Sequence, residues 1–266
     1  MILLADSHVH TKFSADAIDD MLDMCKTAID KGLSYICFTE HVDNNPFDDS
    51  YRYFDYDKYS DAIERTREKY GDKILVLSGI EFGEPHIYRK EFENIITKKF
   101  DVVMAGIHYI GKDRVGVHWV DGTYKFDKSL FNNYTKERIF HEYYEELLQV
   151  AQLGSFDVLA HFDNPKRYLK ETGLEKELIS EIIYELVNKG VAIEINTSPL
   201  RKGYHECSPD SDIFKKYLQA GGTRVTIGSD AHCCREIAMN LDYAVKLVTN
   251  HKATLGIFKE RCFIPI

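Results

Sequence analysis

Several things are missing from this chain, and each absence removes a class of function. No apolar run approaches the roughly 20 residues of a membrane-spanning helix. No basic stripe or tail is present and the formal charge is −9, so a nucleic-acid partner is disfavoured. A strand-like run begins at Ile2, which leaves no room for a signal peptide, and a cytoplasmic location is expected. No CxxC pair occurs among Cys25, Cys37, Cys207, Cys233, Cys234 and Cys262. In a cytosolic chain such cysteines are expected to be reduced and structural. Cys233 and Cys234 directly follow His232, but the oxygen and imidazole groups nearby already make a sufficient donor set without a thiolate. There is no low-complexity segment, no linker and no repeat. The sequence carries no signal of oligomeric state.

What is present is a repeating grammar. With 266 residues, 44% of them hydrophobic, the chain can fill one α/β barrel or two small domains, and the absence of a linker favours one domain over 1–266. Runs at 2–5, 33–38, 74–80, 101–107, 157–160, 191–195 and 224–227 are short, rich in Val and Ile, and apolar throughout, as strands buried on both faces must be. Helical stretches are expected between them at 18–31, 57–70, 135–153, 174–189, 210–220 and 235–249, and all but the last end at a glycine. Strand, helix, glycine, strand predicts a βα barrel, with seven strands in place of eight. Two long aromatic segments, 42–57 and 109–134, are expected as functional loops at the catalytic face, packing over the barrel mouth or acting as lids.

Histidines and carboxylates cluster where the strands end. Asp6-Ser7-His8-Val9-His10, Thr39-Glu40-His41, Ile80-Glu81, Ile107-His108, Ala160-His161-Phe162-Asp163, Glu194-Ile195-Asn196 and Ser229-Asp230-Ala231-His232 each follow an apolar run. The C-terminal ends of parallel strands gather at one face, which carries the active site. His8 and His10 project to the same side of an extended segment, as do Asp230 and His232. Asp16 lies in the loop after the first strand. Such a set can hold a cluster of divalent metals. His86, His118, His141, His205 and His251 occupy no strand end and are expected to be ordinary core or surface residues.

Taken in order, these motifs resemble the polymerase and histidinol phosphatase (PHP) family along the whole chain, most closely the stand-alone histidinol-phosphate phosphatases. The resemblance implies a distorted (β/α)7, TIM-like barrel and a trinuclear site of Mn, Fe or Zn. It assigns His8, His10, Glu81 and Asp230 to one metal, Glu81, His108 and His161 to a second, and Asp16, His41 and His232 to a third. Some relatives have His in place of Asp16, and a harder oxygen donor there favours Mn or Fe over Zn. The implied activity is hydrolysis of a small phosphate monoester, L-histidinol phosphate in amino-acid biosynthesis, by a hydroxide bridging two metals roughly 3.5–4 Å apart. Glu81, Asp230 and His232 would then be catalytic as well as ligating.

A phosphate also needs directional donors. Arg167 and Arg201 lie in loops just past ligand-bearing strand ends, and Arg235 follows His232 at the start of an expected helix; all three are candidates to bind it. Asp163 or His205 is a candidate acid for the leaving group. Asp43 is a candidate partner for the substrate's ammonium or imidazole. Three alternatives stay open: a related phosphoesterase acting on a nucleotide or other small phosphate, a non-catalytic metal-binding module, and an amidohydrolase.

Overall fold

Continuous apolarity produces strands covered on both sides, and the seven runs do form a parallel sheet. The computed structural model describes residues 5–111, 115–116, 135–169 and 175–266. Strands β1 (Ala5–Val9), β2 (Tyr35–Val42), β3 (Leu75–Gly83) and β4 (Val102–Gly106) lie side by side. A separate small hairpin follows, β5 (Tyr109–Ile110) with β6 (Val115–Gly116). The parallel order then continues with β7 (Val158–Leu159), β8 (Ala192–Asn196) and β9 (Arg224–Gly228).

The ring closes unevenly. At its N-terminal end β9 pairs with β10 (Thr254–Lys259), which turns back antiparallel as β11 (Cys262–Pro265). Just beyond its C-terminal end the chain meets β1: Val9 bridges Ala231, the His10 amide donates to Ala231 O at 2.9 Å, and the Asp230 amide to His8 O at 2.9 Å. Seven strands therefore close into a barrel only at the rim that carries the histidines, a distorted seven-stranded barrel of the kind the family resemblance implies. Ile257 and Phe258 of β10 pack with Ala5, Cys37, Leu77 and Val102 and plug the opposite mouth.

Around the barrel lie α1 (Met21–Asp30), α2 (Tyr56–Tyr70), α3 (Arg89–Ile95), α4 (Lys136–Leu153), α5 (Lys166–Leu169), α6 (Lys176–Lys189), α7 (Ser198–Arg201), α8 (Ser211–Gln219) and α9 (Leu241–Asn250). In α1, Met21, Met24, Cys25 and Ala28 form the buried stripe expected of one amphipathic face. Side-chain caps fix three helix starts: Asp55 accepts from Lys58 N, Thr135 from Arg138 N, and Asp210 from the amides of Asp212 and Ile213.

Some expectations shift. β2 and β3 run on through His41 and Glu81, so these polar residues belong to the strands. Residues 1–4 lie outside the described residues, and the first strand as described begins at Ala5. The expected helix over 235–249 divides into a 3₁₀ turn at Cys234–Glu236 and α9. In the segment 42–57, Phe47 and Tyr53 are exposed while Phe54 packs on Tyr59. Of the segment 109–134, residues 112–114 and 117–134 lie outside the described residues, so its expected role as a lid falls there too.

Candidate metal centre

Glu81, near the end of β3, is the hub. Its side chain is 1% exposed and reaches five imidazoles. Oε2 lies 3.1 Å from His8 Nε2, 3.6 Å from His10 Nε2 and 3.3 Å from His41 Nδ1. Oε1 lies 3.2 Å from His108 Nε2 and 2.5 Å from His161 Nε2. Asp230 Oδ1 is 3.9 Å from His8 and 3.6 Å from His10. Asp16 Oδ2 is 3.1 Å from His232 Nε2 and 3.6 Å from His41 Nε2. All nine residues expected as ligands thus come together at one rim. Three overlapping groups have donor atoms within 4.8 Å of one another: His8, His10 and Asp230; His41, Glu81 and His108; His10, His41 and His232.

The donor set fits divalent cations. His8 Nε2 and His10 Nε2 lie 2.9 Å apart and both face Glu81, so neighbouring lone pairs converge on one space. Buried Nδ1 atoms of His41 and His161 and one Asp43 oxygen have no hydrogen-bond partner among the described residues. Imidazole nitrogen with carboxylate oxygen suits Zn, Mn or Fe. Charge agrees with geometry. Burial pushes the Glu81 carboxyl up, but His8, His161 and His108 outweigh it and hold the group well below the usual carboxylate range. Burial acts likewise on Asp230, where His8 and Arg167 prevail and keep it ionised. Burial and the neighbouring His41, His232 and His8 push His10 well below its ordinary value, leaving it neutral and able to ligate.

Behind these groups lies a layer of carboxylates that the sequence did not single out for a role. Glu40 accepts from the Thr11 amide (2.9 Å), the Thr11 hydroxyl (2.7 Å) and the Ser14 hydroxyl (2.7 Å), and Ser14 Oγ in turn accepts from the His41 amide (2.9 Å). Glu84 accepts from the His108 and Tyr109 amides at 2.6 and 3.0 Å. Asp6 accepts from the Ser229 amide and hydroxyl. Glu194 accepts from His8 Nδ1 and the His161 amide. A polar residue inside an apolar strand was the available signal for Asp6, Glu40 and Glu194, while Glu84 follows β3 directly. Gly106 leaves room for this packing: a Cβ there would lie 2.9 Å from His161 Cε1.

The remaining candidates fall in different places. Arg167 is buried and donates from Nη1 to Asp230 Oδ2 (2.6 Å) and Ser198 Oγ (2.7 Å), so it reaches the cluster. Arg201 donates to the carbonyls of Ser229 (2.8 Å) and Asp230 (2.9 Å) and pairs with Glu236 at 3.2 Å; its fork is occupied by the loop it holds. Arg235 is exposed in the 3₁₀ turn. Asp43 is buried, 3.5 Å from His108 Nδ1 and 3.9 Å from His41 Nδ1, and so faces the imidazoles and not an open substrate surface. Asp163 is bound by Lys166 (2.5 Å), the Ser208 hydroxyl and the Asp210 amide (3.0 Å), which leaves no free edge for an acid's work. His205 is 74% exposed beside Glu206 and Tyr204, in an outward turn that does not bring it to the cluster. Of the histidines expected outside the site, His86 pairs with Glu146 at 3.1 Å, His141 lies by Glu145 and Glu175, and His251 bonds to Leu247 O; His118 lies outside the described residues.

A barrel whose rim gathers six imidazoles and three carboxylic side chains defines a class, the metal-binding α/β barrels. Within that class the match is specific. The family model described as PHP domain matches residues 6–198, and the chain belongs to that family. Asp230 and His232 lie beyond the matched stretch. The chain is similar to the probable histidinol-phosphatase of Clostridium acetobutylicum, 29% identical with 97% of this chain and 98% of the relative covered. It is 29% identical to the histidinol-phosphatase of Lactococcus lactis, covering 91% and 89%. A crystal structure of histidinol phosphate phosphatase from Lactococcus lactis, complexed with zinc, L-histidinol and phosphate, superposes with TM-score 0.81 at 27% identity and 98% coverage of both chains.

Proposed function

We propose that this chain hydrolyses a small phosphate monoester, L-histidinol phosphate, to the alcohol and inorganic phosphate. The observation that carries the reading is the Glu81 hub, a buried carboxylate shared by five imidazoles beside Asp230. Support for the substrate comes from the relatives and from the zinc, histidinol and phosphate held by the Lactococcus structure. We assign His8, His10, Glu81 and Asp230 to one cation, Glu81, His108 and His161 to a second, and Asp16, His41 and His232 to a third. Divalent cations bound there supply Lewis acidity and the positive charge that a transferring phosphoryl group requires.

The chain's own residues do the rest. Glu81 spans the cluster, with each oxygen turned to a different set of imidazoles. Arg167 adds a permanent cation at its edge and holds Asp230 Oδ2, which leaves Oδ1 toward His8 and His10. Its guanidinium is the group we assign to the phosphate oxygens. Arg201 secures the Ser229–Asp230 backbone from behind. We read residues 1–266 as one domain, and the six free cysteines accord with a reducing cytoplasm. Among the described residues, no helix is long and apolar enough to cross a membrane.

The test is phosphate release by protein stripped of metal and reloaded with zinc, manganese or ferrous iron. Substrates are L-histidinol phosphate, a panel of phosphomonoesters and an oligonucleotide with a 3′ phosphate. The expected result is a preference for histidinol phosphate. Preference for another ester overturns the substrate assignment, and no release with any metal overturns the activity.

A further inference from the structure

Glu194 is used by neither the cation groups nor the phosphate, yet it is 1% exposed and touches both sides of the centre. Oε1 lies 2.7 Å from His8 Nδ1. Oε2 accepts from the His161 amide at 2.9 Å and from Asn196 Nδ2 at 3.1 Å. His161 sits at φ 25°, a left-handed value that a non-glycine residue adopts only when held there. The carboxylate rests against Gly228, where a Cβ would approach Glu194 Oε1 to 2.5 Å and His8 Cβ to 2.4 Å. One side chain thus connects strands β1, β8 and β9 with the segment that follows β7.

We infer that Glu194 is a positioning residue that selects the tautomer of His8 and so makes its Nε2 available to a cation. The inference rests on the proposed reading of His8 as a ligand. A carboxylate accepts only, so Glu194 holds a proton on Nδ1, and Nε2, which faces His10 and Glu81, is the nitrogen left for a cation, which displaces any proton that Glu81 draws there. Carboxylates behind ligating histidines act this way in general, and losing one costs about 10- to 100-fold in metal affinity.

The contacts predict an unusual order among variants. In Glu194→Gln the amide oxygen is claimed by two fixed donors, the His161 amide and Asn196 Nδ2. The amide NH2 must then face His8 Nδ1, which becomes an acceptor, and the proton moves to Nε2. In Glu194→Ala the two donors lose their acceptor, but His8 is free to take either tautomer. The isosteric variant should therefore bind cations worse than the truncated one, while the truncated one should unfold more easily. A purely structural role gives the same order in both measurements.

The experiment is zinc affinity by chelator competition on wild type, Glu194→Gln and Glu194→Ala, with urea unfolding of each metal-free protein. Nitrogen-15 spectra of the histidine rings in the zinc-loaded proteins complete it, with the His8 signals identified by their loss in His8→Gln. We expect the tightest zinc site weakened about 10- to 100-fold in Glu194→Gln, less in Glu194→Ala, and an Nδ1–H, Nε2-ligated His8 in wild type only or most fully. Equal zinc affinity in all three proteins, or a wild-type His8 ligated through Nδ1, overturns the role of Glu194 and leaves the centre intact. A wild type that binds no zinc overturns the centre itself, and this role with it.

Discussion

At the scale of single residues, Arg167 shows how one side chain serves two ends. Its Nη1 bonds to Asp230 and Ser198 place a buried guanidinium beside a carboxylate proposed as a cation ligand. A charge-assisted bond to phosphate is worth roughly 1.5–3 kcal/mol. Arg167→Ala should therefore lower kcat/KM by about 10- to 150-fold at saturating zinc. Zinc titration should also show a weaker site, because Asp230 loses the partner that aims Oδ1 at His8 and His10. Arg167→Lys should restore part of the rate, since an ammonium keeps the charge without the fork. Normal kinetics in the Ala variant would remove Arg167 from the reaction. Glu40 carries a different signature. Burial, opposed by the Thr11 and Ser14 donors, lifts its carboxyl from an ordinary 4.5 to about 7. The folded protein then holds this proton more tightly than the unfolded chain. The resulting stability is complete below pH 4.5 and lost as pH rises through about 7, amounting to about 3 kcal/mol. In metal-free protein, Glu40→Gln should gain on wild type across that window and hold a constant lead above it, as read by urea unfolding at each pH. A gap independent of pH would contradict the assignment. Eight of the nine ligand candidates could be found from sequence because each sits at the end of an apolar run; Asp16, in the loop after the first strand, was given a role only by the family resemblance. The carboxylates behind them could not be given roles, because their partners are remote in the chain: Glu194 and His8 are 186 positions apart.

At the scale of elements, the C-terminal hairpin is the piece that the sequence concealed. Its turn, Glu260-Arg261, has φ of 49° and 64°, the backbone of a tight hairpin normally marked by Asn-Gly or Asp-Gly. With two ordinary residues there, no turn signal is written. Tertiary contacts impose the conformation instead: the Glu260 amide donates to Asp101 Oδ1 at 3.0 Å, the Arg261 amide to Asp101 O at 2.9 Å, and the Arg261 guanidinium pairs with Asp157. Asp101 also takes Arg67 Nη2 at 2.7 Å and the Ser78 amide at 2.8 Å. Asp101→Ala would strand these donors together, at a cost of about 2–4 kcal/mol given that Arg67 remains partly exposed. Urea unfolding should register that loss while zinc affinity at the other end of the barrel stays at its wild-type value. A variant as stable as wild type would mean that the hairpin is held by Ile257 and Phe258 alone. The long helices were legible within a few residues because their apolar stripes and caps are local. α3, α5 and α7 were not: α3 buries only Phe92, and the other two are single turns shaped by the loops they sit in.

At the scale of the whole molecule, the centre is both a site and a fastener. Cations that bind the folded chain alone stabilise it by about 4 kcal/mol per site at a thousandfold excess over Kd. Chelation should lower the melting temperature measured by calorimetry, and zinc should restore it, with little change in circular dichroism at 25 °C because the hydrogen-bonded carboxylates still link the strands. Identical melting with and without chelator would mean that the cluster holds no cation tightly. The barrel closes where Asp6 meets Ser229, 223 positions away, and where Val9 bridges Ala231. During synthesis, His8 and His10 therefore leave the ribosome long before the segment that brings β1 into line. A nascent chain halted short of Ser229 displays most of its imidazoles with no ring to arrange them. If the cluster takes up cations as proposed, loading would wait for nearly the whole message to be read, and the ion would be chosen by a finished barrel and not by the loose histidines of a growing chain.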